Sequence, residues 1–163
     1  MRLILVIAAA AALTLAWPAA QPLVIYNHSP SVAIGYYVRS ATPPHVGAYV
    51  TVRAAAVAPG YAALRRFAGP RDWFIKRVAA VGGAHVCTHG QHVTIGDRVL
   101  MRLRHDGQER PLPAWTGCRF LAANEYFLLG DSPDSFDSRY WGPVSAQQIE
   151  GVWRRLWATQ QED

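Results

Sequence analysis

Short runs of β-branched and aromatic residues, each bounded by glycine, proline, aspartate or asparagine, decide the fold class of this chain. Runs of this kind are typical of strands. We predict four such strands, at 48–52, 73–81, 92–95 and 126–129. A short helix is predicted over 60–67, and Ser145 is predicted to cap a turn that leads into a strand at 149–153. These elements predict a mainly β fold built on antiparallel sheet.

The first 21 residues form a segment of their own. After Arg2 no residue is charged through Gln21, and Trp17-Pro18 marks a boundary within the segment. An uncharged run behind one arginine is typical of an exported chain. The length of this run lies between that of the apolar core of a signal peptide and that of a membrane-spanning helix. Small residues suited to cleavage are poorly placed, which favours an uncleaved anchor. We therefore divide the chain into a signal anchor or signal peptide at 1–21 and one domain at 22–163, outside the cytoplasm.

Composition and charge narrow the class of the domain. The chain has 163 residues, of which 51% are hydrophobic and 17% charged, which excludes intrinsic disorder and a collagen-like repeat. The net charge is +5, but the arginines of the chain are scattered in short groups such as Arg65-Arg66, Arg102-Leu103-Arg104 and Arg154-Arg155. No aromatic residues are interleaved with them, so they predict a solvated surface and no nucleic-acid partner.

The two cysteines, Cys87 and Cys118, are predicted to form a disulfide, because thiols exposed to an oxidising compartment usually pair. A metal site is the alternative, since His85, His89 and His92 surround Cys87. These histidines lie on a predicted hairpin, however, and no second pair of ligands accompanies them. We therefore predict neither a metal nor another cofactor.

Three segments carry residues suited to chemistry. Ser29 and Ser31 flank a proline, which restricts the backbone and holds both hydroxyls in a stiff frame. Lys76, the only lysine, lies in an apolar strand-like run, where burial would lower its proton affinity and make it a base. The loop 130–144 follows a predicted strand and is dense in turn formers, carboxylates and hydroxyls. Taken alone, each segment also fits an ordinary loop or strand.

Together, in this order, the three segments resemble the motifs of type I signal peptidases, the S26 family. The matching residues are Ser31 with Val-Ala-Ile-Gly-Tyr-Tyr after it, Lys76-Arg77-Val78, and Gly130-Asp131 through Trp141-Gly142. Small size and the short interval from serine to lysine are more similar to the conjugative-transfer branch, the TraF-type peptidases. The resemblance covers nearly all of the chain after the leader and implies a signal-peptidase-type antiparallel β fold behind an N-terminal hydrophobic helix. Ala33 departs from the pattern, because that branch usually has proline there.

The resemblance implies a role for each matching residue. Ser31 would be the nucleophile and Lys76 the general base. Ser29 would donate its hydroxyl to the oxyanion beside the Ser31 backbone amide. Three residues of the loop would support the dyad. Ser135 would orient Lys76, and Asp137 and Arg139 would brace the loop.

The function implied is a membrane-associated serine endopeptidase of the inner membrane with its catalytic domain in the periplasm. Its substrate would be an exported precursor, cut after small residues of the Ala-x-Ala kind, and in the TraF-type branch a conjugative pilin that is cleaved or cyclised. Other conjugative-transfer proteins would be partners. Two alternatives remain open: a general signal peptidase acting on many preproteins, and a non-catalytic envelope scaffold of a secretion apparatus.

Overall fold

The computed structural model describes residues 21–156 and contains, in that range, eleven strands arranged in two antiparallel sheets. The predicted mainly β fold is confirmed. The strands are β1 (Val24–Asn27), β2 (Gly35–Ser40), β3 (Tyr49–Arg53), β4 (Trp73–Val81), β5 (His85–His89), β6 (His92–Ile95), β7 (Arg98–Met101), β8 (Cys118–Phe120), β9 (Glu125–Leu129), β10 (Val144–Ser145) and β11 (Ile149–Arg155). The short helices are α1 (Ala54–Val57), α2 (Pro59–Leu64) and α3 (Ser138–Trp141), with a 3₁₀ turn at Ala146–Gln148.

The N-terminal hydrophobic helix predicted from the leader falls in residues 1–20, outside the described range. Among residues 21–156, no helix has the length and apolar character needed to cross a bilayer.

The larger sheet has seven strands in the order β1-β2-β11-β3-β4-β9-β10. One face is buried because alternate residues of the strands are apolar, and side chains such as Val50, Val78, Leu128 and Val152 pack into one cluster. Strand β4 lies between β3 and β9, with Lys76 opposite Val50. The end of β9, where the polar loop begins, therefore lies beside the strand that carries the lysine.

The smaller sheet has the order β7-β6-β5-β8. The predicted histidine hairpin is its centre: β5 and β6 are joined by a two-residue turn in which Gly90 has a φ of 58°, a conformation that glycine adopts without strain. Val86 and Val93 on its inner face are fully buried and pack with Phe127 of β9. This sheet therefore covers the larger one next to the strand that leads into the polar loop.

The predicted elements agree closely with the structure. The strands at 73–81 and 92–95 match β4 and β6, while 48–52 and 126–129 are shifted or extended by one residue. The helix predicted over 60–67 ends at Leu64, because Arg66 has a φ of 52°, which a right-handed helix does not accommodate. Ser145 caps the 3₁₀ turn through a capping box with Gln148, as predicted.

The loop between β1 and β2 reaches Lys76 across two intervening strands. Strands β11 and β3 separate β2 from β4, so strand pairing alone does not place the loop beside the lysine. Val32 in the loop is fully buried in a cluster with Ile75, Tyr37 and Trp153. Since Val32 follows Ser31 and Ile75 precedes Lys76, this apolar contact brings the two polar residues together.

Cys87 and Cys118 are register partners between β5 and β8, and their sulfur atoms lie in disulfide contact. The imidazole of His85 lies beside both, with Nε2 at 3.9 Å from the Cys87 sulfur and 3.8 Å from that of Cys118. The Cys87 sulfur, which the metal alternative requires as a ligand, is thus joined to that of Cys118, which favours the disulfide.

We expect no titratable thiol in unreduced, denatured protein. The bond closes a loop with a sequence separation of 31, so reduction should lower the free energy of unfolding by about 3 to 4 kcal/mol. Thiol titration and denaturant unfolding with and without reductant measure both effects. The double variant Cys87→Ser/Cys118→Ser is the control and should not respond to reductant, and two reactive thiols in the unreduced wild type would contradict the pairing.

Candidate active site

A groove of about 930 Å³ lies beside the large sheet and contains four of the predicted site residues. One wall is the loop between β1 and β2, and the floor is the start of β4. The opposite wall comes from α2, the segment after it, and the loop after β7. Ser29, Ser31, Lys76 and Ser135 all line this groove. Residues from three separate parts of the sequence therefore meet at one surface.

Ser31 and Lys76 are in direct contact: Nζ of Lys76 donates a hydrogen bond to Oγ of Ser31 at 2.8 Å. The lysine is only 3% exposed. Burial lowers its pKa from 10.5 to about 8, and the Asp137 carboxylate opposes part of that shift. An amine with this pKa is substantially neutral in mildly alkaline solution, so it can accept a proton from the hydroxyl it contacts.

Ser29 lies on the other side of Ser31. Its hydroxyl donates to Oγ of Ser31 at 3.2 Å, and it accepts a long hydrogen bond of 3.4 Å from the Ser31 backbone N–H. The two groups predicted to hold an oxyanion are thus bonded to each other in the free protein. Both contacts are long, so an incoming anionic oxygen would replace weak interactions with stronger, charge-assisted ones.

Ser135 lies in the groove, but the predicted hydrogen bond to Lys76 is not formed in this structure. Its Oγ is buried and has no hydrogen-bond partner within the described part of the chain. Gly130 packs closely against this hydroxyl: a Cβ added there would lie 2.0 Å from Oγ of Ser135 and 2.6 Å from the Ser31 carbonyl oxygen. The hydroxyl thus faces a glycine backbone, and only glycine fits between it and Ser31.

Asp137 and Arg139, which were predicted to brace the loop after β9, form a buried ion pair within it. Two parallel hydrogen bonds of 2.8 Å join the buried guanidinium to the carboxylate. The carboxylate also accepts the Gly130 N–H at 2.9 Å. The next residue, Asp131, donates its N–H to the Ser31 carbonyl oxygen at 2.6 Å. The ion pair therefore fixes the turn that holds the backbone of Ser31.

Arg102 was predicted to be a solvated surface charge, and this is wrong: the side chain is 7% exposed. Its guanidinium donates to three backbone carbonyls, those of Gly90 (2.7 Å), Arg139 (3.1 Å) and Trp115. In return, Arg139 donates to the carbonyl of Met101 at 2.8 Å. Arg102 therefore ties the smaller sheet to the loop. The sequence gives no signal for this role, because the acceptors are backbone groups from distant segments.

Arg77, next to the lysine, also contacts the loop. It forms a two-pronged ion pair with Asp131 at 2.9 and 3.0 Å and lies over the ring of Tyr49 at 4.3 Å from its centroid. The pair is partly exposed, so it contributes modestly to stability. It holds the same turn that binds the Ser31 carbonyl oxygen.

Comparison with known proteins gives a consistent family assignment. The model of the family described as "Signal peptidase, peptidase S26" matches residues 1–157. Two relatives from Escherichia coli are both named plasmid transfer protein TraF. The first is 33% identical over 140 residues, which cover 78% of this chain and 79% of the relative. The second is 32% identical over 161 residues, which cover 91% of this chain and 90% of the relative. Among solved structures, a signal peptidase I from Enterococcus faecalis V583 matches 69% of this chain and 98% of its own at 20% identity. Its TM-score of 0.39 is too low to transfer structural detail.

Lys76→Met should raise the free energy of unfolding below pH 8 by up to about 3 kcal/mol, because the wild type must bury an ammonium group whose pKa falls from 10.5 to about 8 on folding. Between these values the unfolded chain retains a proton that the folded chain has lost, so wild-type stability rises with pH. The difference between the two proteins therefore shrinks towards pH 10.5.

Denaturant unfolding across this pH range measures the effect. Arg104→Met is the matched control, since it removes a cation from an exposed side chain. A stability difference between Lys76→Met and wild type that does not change with pH would contradict burial of a charged amine.

Proposed function

Because the chain belongs to the signal peptidase family, peptidase S26, we propose that it is a serine endopeptidase with Ser31 and Lys76 as its catalytic dyad. The observation that carries the proposal is the 2.8 Å contact between Nζ and Oγ of these residues, in a groove of about 930 Å³. The lowered pKa of the lysine supports the same assignment.

The reaction proceeds in two halves. The neutral amine of Lys76 takes the proton of the Ser31 hydroxyl as Oγ attacks the peptide carbonyl. Lys76 then gives that proton to the leaving amine, the C–N bond breaks, and an acyl-enzyme remains on Ser31. Water, or an amine of the substrate itself, attacks the acyl group in the second half, with Lys76 again accepting and returning the proton.

The oxyanion formed in each half is held by the Ser31 backbone N–H and the Ser29 hydroxyl. In the free protein these two groups bond each other, and they turn to the substrate oxygen when it becomes negative. Asp137 and Arg139 keep the Ser31 carbonyl fixed through Gly130 and Asp131. The nucleophile's backbone thus stays in place while its side chain reacts.

The substrate we propose is an exported precursor cut after small residues, and specifically a conjugative pilin. Support comes from the two relatives named plasmid transfer proteins, which lie at 32–33% identity over most of the chain. The uncharged run within 1–21 supports an anchor at the inner membrane, with the domain 22–163 on the periplasmic side. An anchored enzyme would meet its substrate at high local concentration as it emerges from the membrane, alongside other transfer proteins.

Ser31→Ala should lower kcat for cleavage of a pilin precursor by more than about 1000-fold, because no other group replaces the nucleophile. Ser29→Ala should lower it by about 100-fold, the usual cost of one oxyanion donor. Ser40→Ala, on β2 and outside the groove, is the control.

Mass spectrometry of the products separates hydrolysis from cyclisation, since the two differ by one water. Equal processing by Ser31→Ala and wild type would reject the peptidase assignment and favour a non-catalytic scaffold. Equal rates for a pilin precursor and unrelated preproteins would favour a general signal peptidase.

The pH dependence of kcat/KM should rise through an apparent pKa near 8, because only the neutral form of Lys76 is a base. At pH 8 about half of the amines are neutral, against about 0.3% for an ordinary lysine. Lys76→Arg should be inactive throughout, since a guanidinium keeps its proton. A flat profile, or activity in the arginine variant, would show that another group is the base.

A further inference from the structure

Asn27, the last residue of β1, makes an unusual number of contacts with the loop that carries Ser31. Its amide nitrogen donates to the carbonyl oxygens of Ser29 at 2.8 Å, Val32 at 3.0 Å and Ala33 at 3.2 Å. Its amide oxygen accepts the Ser29 N–H at 3.1 Å. The side chain is 7% exposed, so these bonds are shielded from water. One residue therefore joins both ends of a five-residue loop with the nucleophile near its middle.

The carbonyl of Ala33 receives a second restraint. The hydroxyl of Tyr37, a fully buried side chain on β2, donates to it at 2.5 Å. Burial raises the pKa of Tyr37 to about 12, so this hydroxyl remains a donor over any working pH. The far end of the loop is thus held by two donors from two different strands.

We propose that Asn27 is a positioning residue that holds Ser31 in its reactive geometry, with a stiffness that the loop sequence itself lacks at Ala33. This proposal rests on the proposed peptidase function. A proline at position 33 would limit the backbone covalently. With alanine there, the restraint comes from hydrogen bonds to the carbonyls on either side of the nucleophile.

The chemistry of the contacts explains why an amide is needed. Three carbonyl oxygens point at one nitrogen, and only a donor is stable there. A carboxylate of the same shape has no N–H and would face those oxygens with a negative charge. Asn27→Asp therefore removes the three donated bonds with almost no change in volume, while the Ser29 N–H keeps an acceptor.

The experiment compares four variants with wild type in kcat and KM for a peptide spanning the pilin cleavage junction. They are Asn27→Asp, Asn27→Ala, Ala33→Pro and the double variant Asn27→Ala/Ala33→Pro. Asn124→Asp is the matched control, because it makes the same charge change at an exposed turn where its side chain has no hydrogen bond. Amide hydrogen exchange of residues 28–34 is measured in parallel, below the unfolding temperature of each variant.

We expect Asn27→Asp and Asn27→Ala to lower kcat about 10- to 100-fold with KM changed less than about threefold, since a small misplacement of the nucleophile slows chemistry more than binding. Ala33→Pro alone should change kcat less than about twofold. In the double variant the proline should recover most of the kcat lost in Asn27→Ala, because its ring restores the stiffness of the loop. Exchange of the Ser31 amide should be faster in both single Asn27 variants and slower again in the double variant, whereas the Ser29 amide should lose protection only in Asn27→Ala, because aspartate still accepts its N–H.

Two results would overturn the inference. The first is full activity and unchanged exchange in Asn27→Asp. The second is a loss that appears in KM and is not recovered by proline, which would make Asn27 a substrate contact. If wild type does not cleave the peptide at all, the proposed function fails, and the exchange measurements alone decide whether Asn27 restrains the loop.

Discussion

The site depends on a fold that keeps water away from one amine. Lys76 is 3% exposed and has no salt-bridge partner among the described residues. An ammonium in such surroundings loses the hydration that stabilises its charge, and its pKa falls. The Asp137 carboxylate is close enough to oppose the shift, but its own charge is neutralised by Arg139. The ion pair within the loop therefore also preserves the lowered pKa of the amine.

Ser31, the proposed nucleophile, is held from two directions. Asn27 and Tyr37 hold the loop from β1 and β2 of the large sheet, and Asp131 binds the Ser31 carbonyl oxygen from the loop after β9. The second support reaches further, because Arg102 connects Arg139 to the turn of the smaller sheet. The smaller sheet, although remote from Ser31 and Lys76, thus helps to hold the loop that contacts Ser31.

The sequence predicted the members of this site better than their contacts. Lys76 stood out because lysine is rarely found in an apolar strand, and the alternation of β4 fixed which way it points. The strands at 73–81 and 92–95 were predictable because their β-branched and aromatic runs are bounded by turn-forming residues. Arg102 and Asn27 were not, because each acts through backbone carbonyls that only the folded chain brings together, and an isolated Arg-Leu-Arg looks like a solvated surface. The orientation of Ser135 depends on the close approach of Gly130, which no local pattern reveals.

Lys76 is the only lysine in the chain, and every other side-chain cation except histidine is a guanidinium. Guanidinium groups keep their charge across the whole alkaline range, whereas the enclosed amine discharges near pH 8. Under the proposed mechanism, alkalinity therefore produces the neutral base while the guanidinium groups keep their charge, so the arginine-rich surface stays cationic as the proposed dyad becomes active.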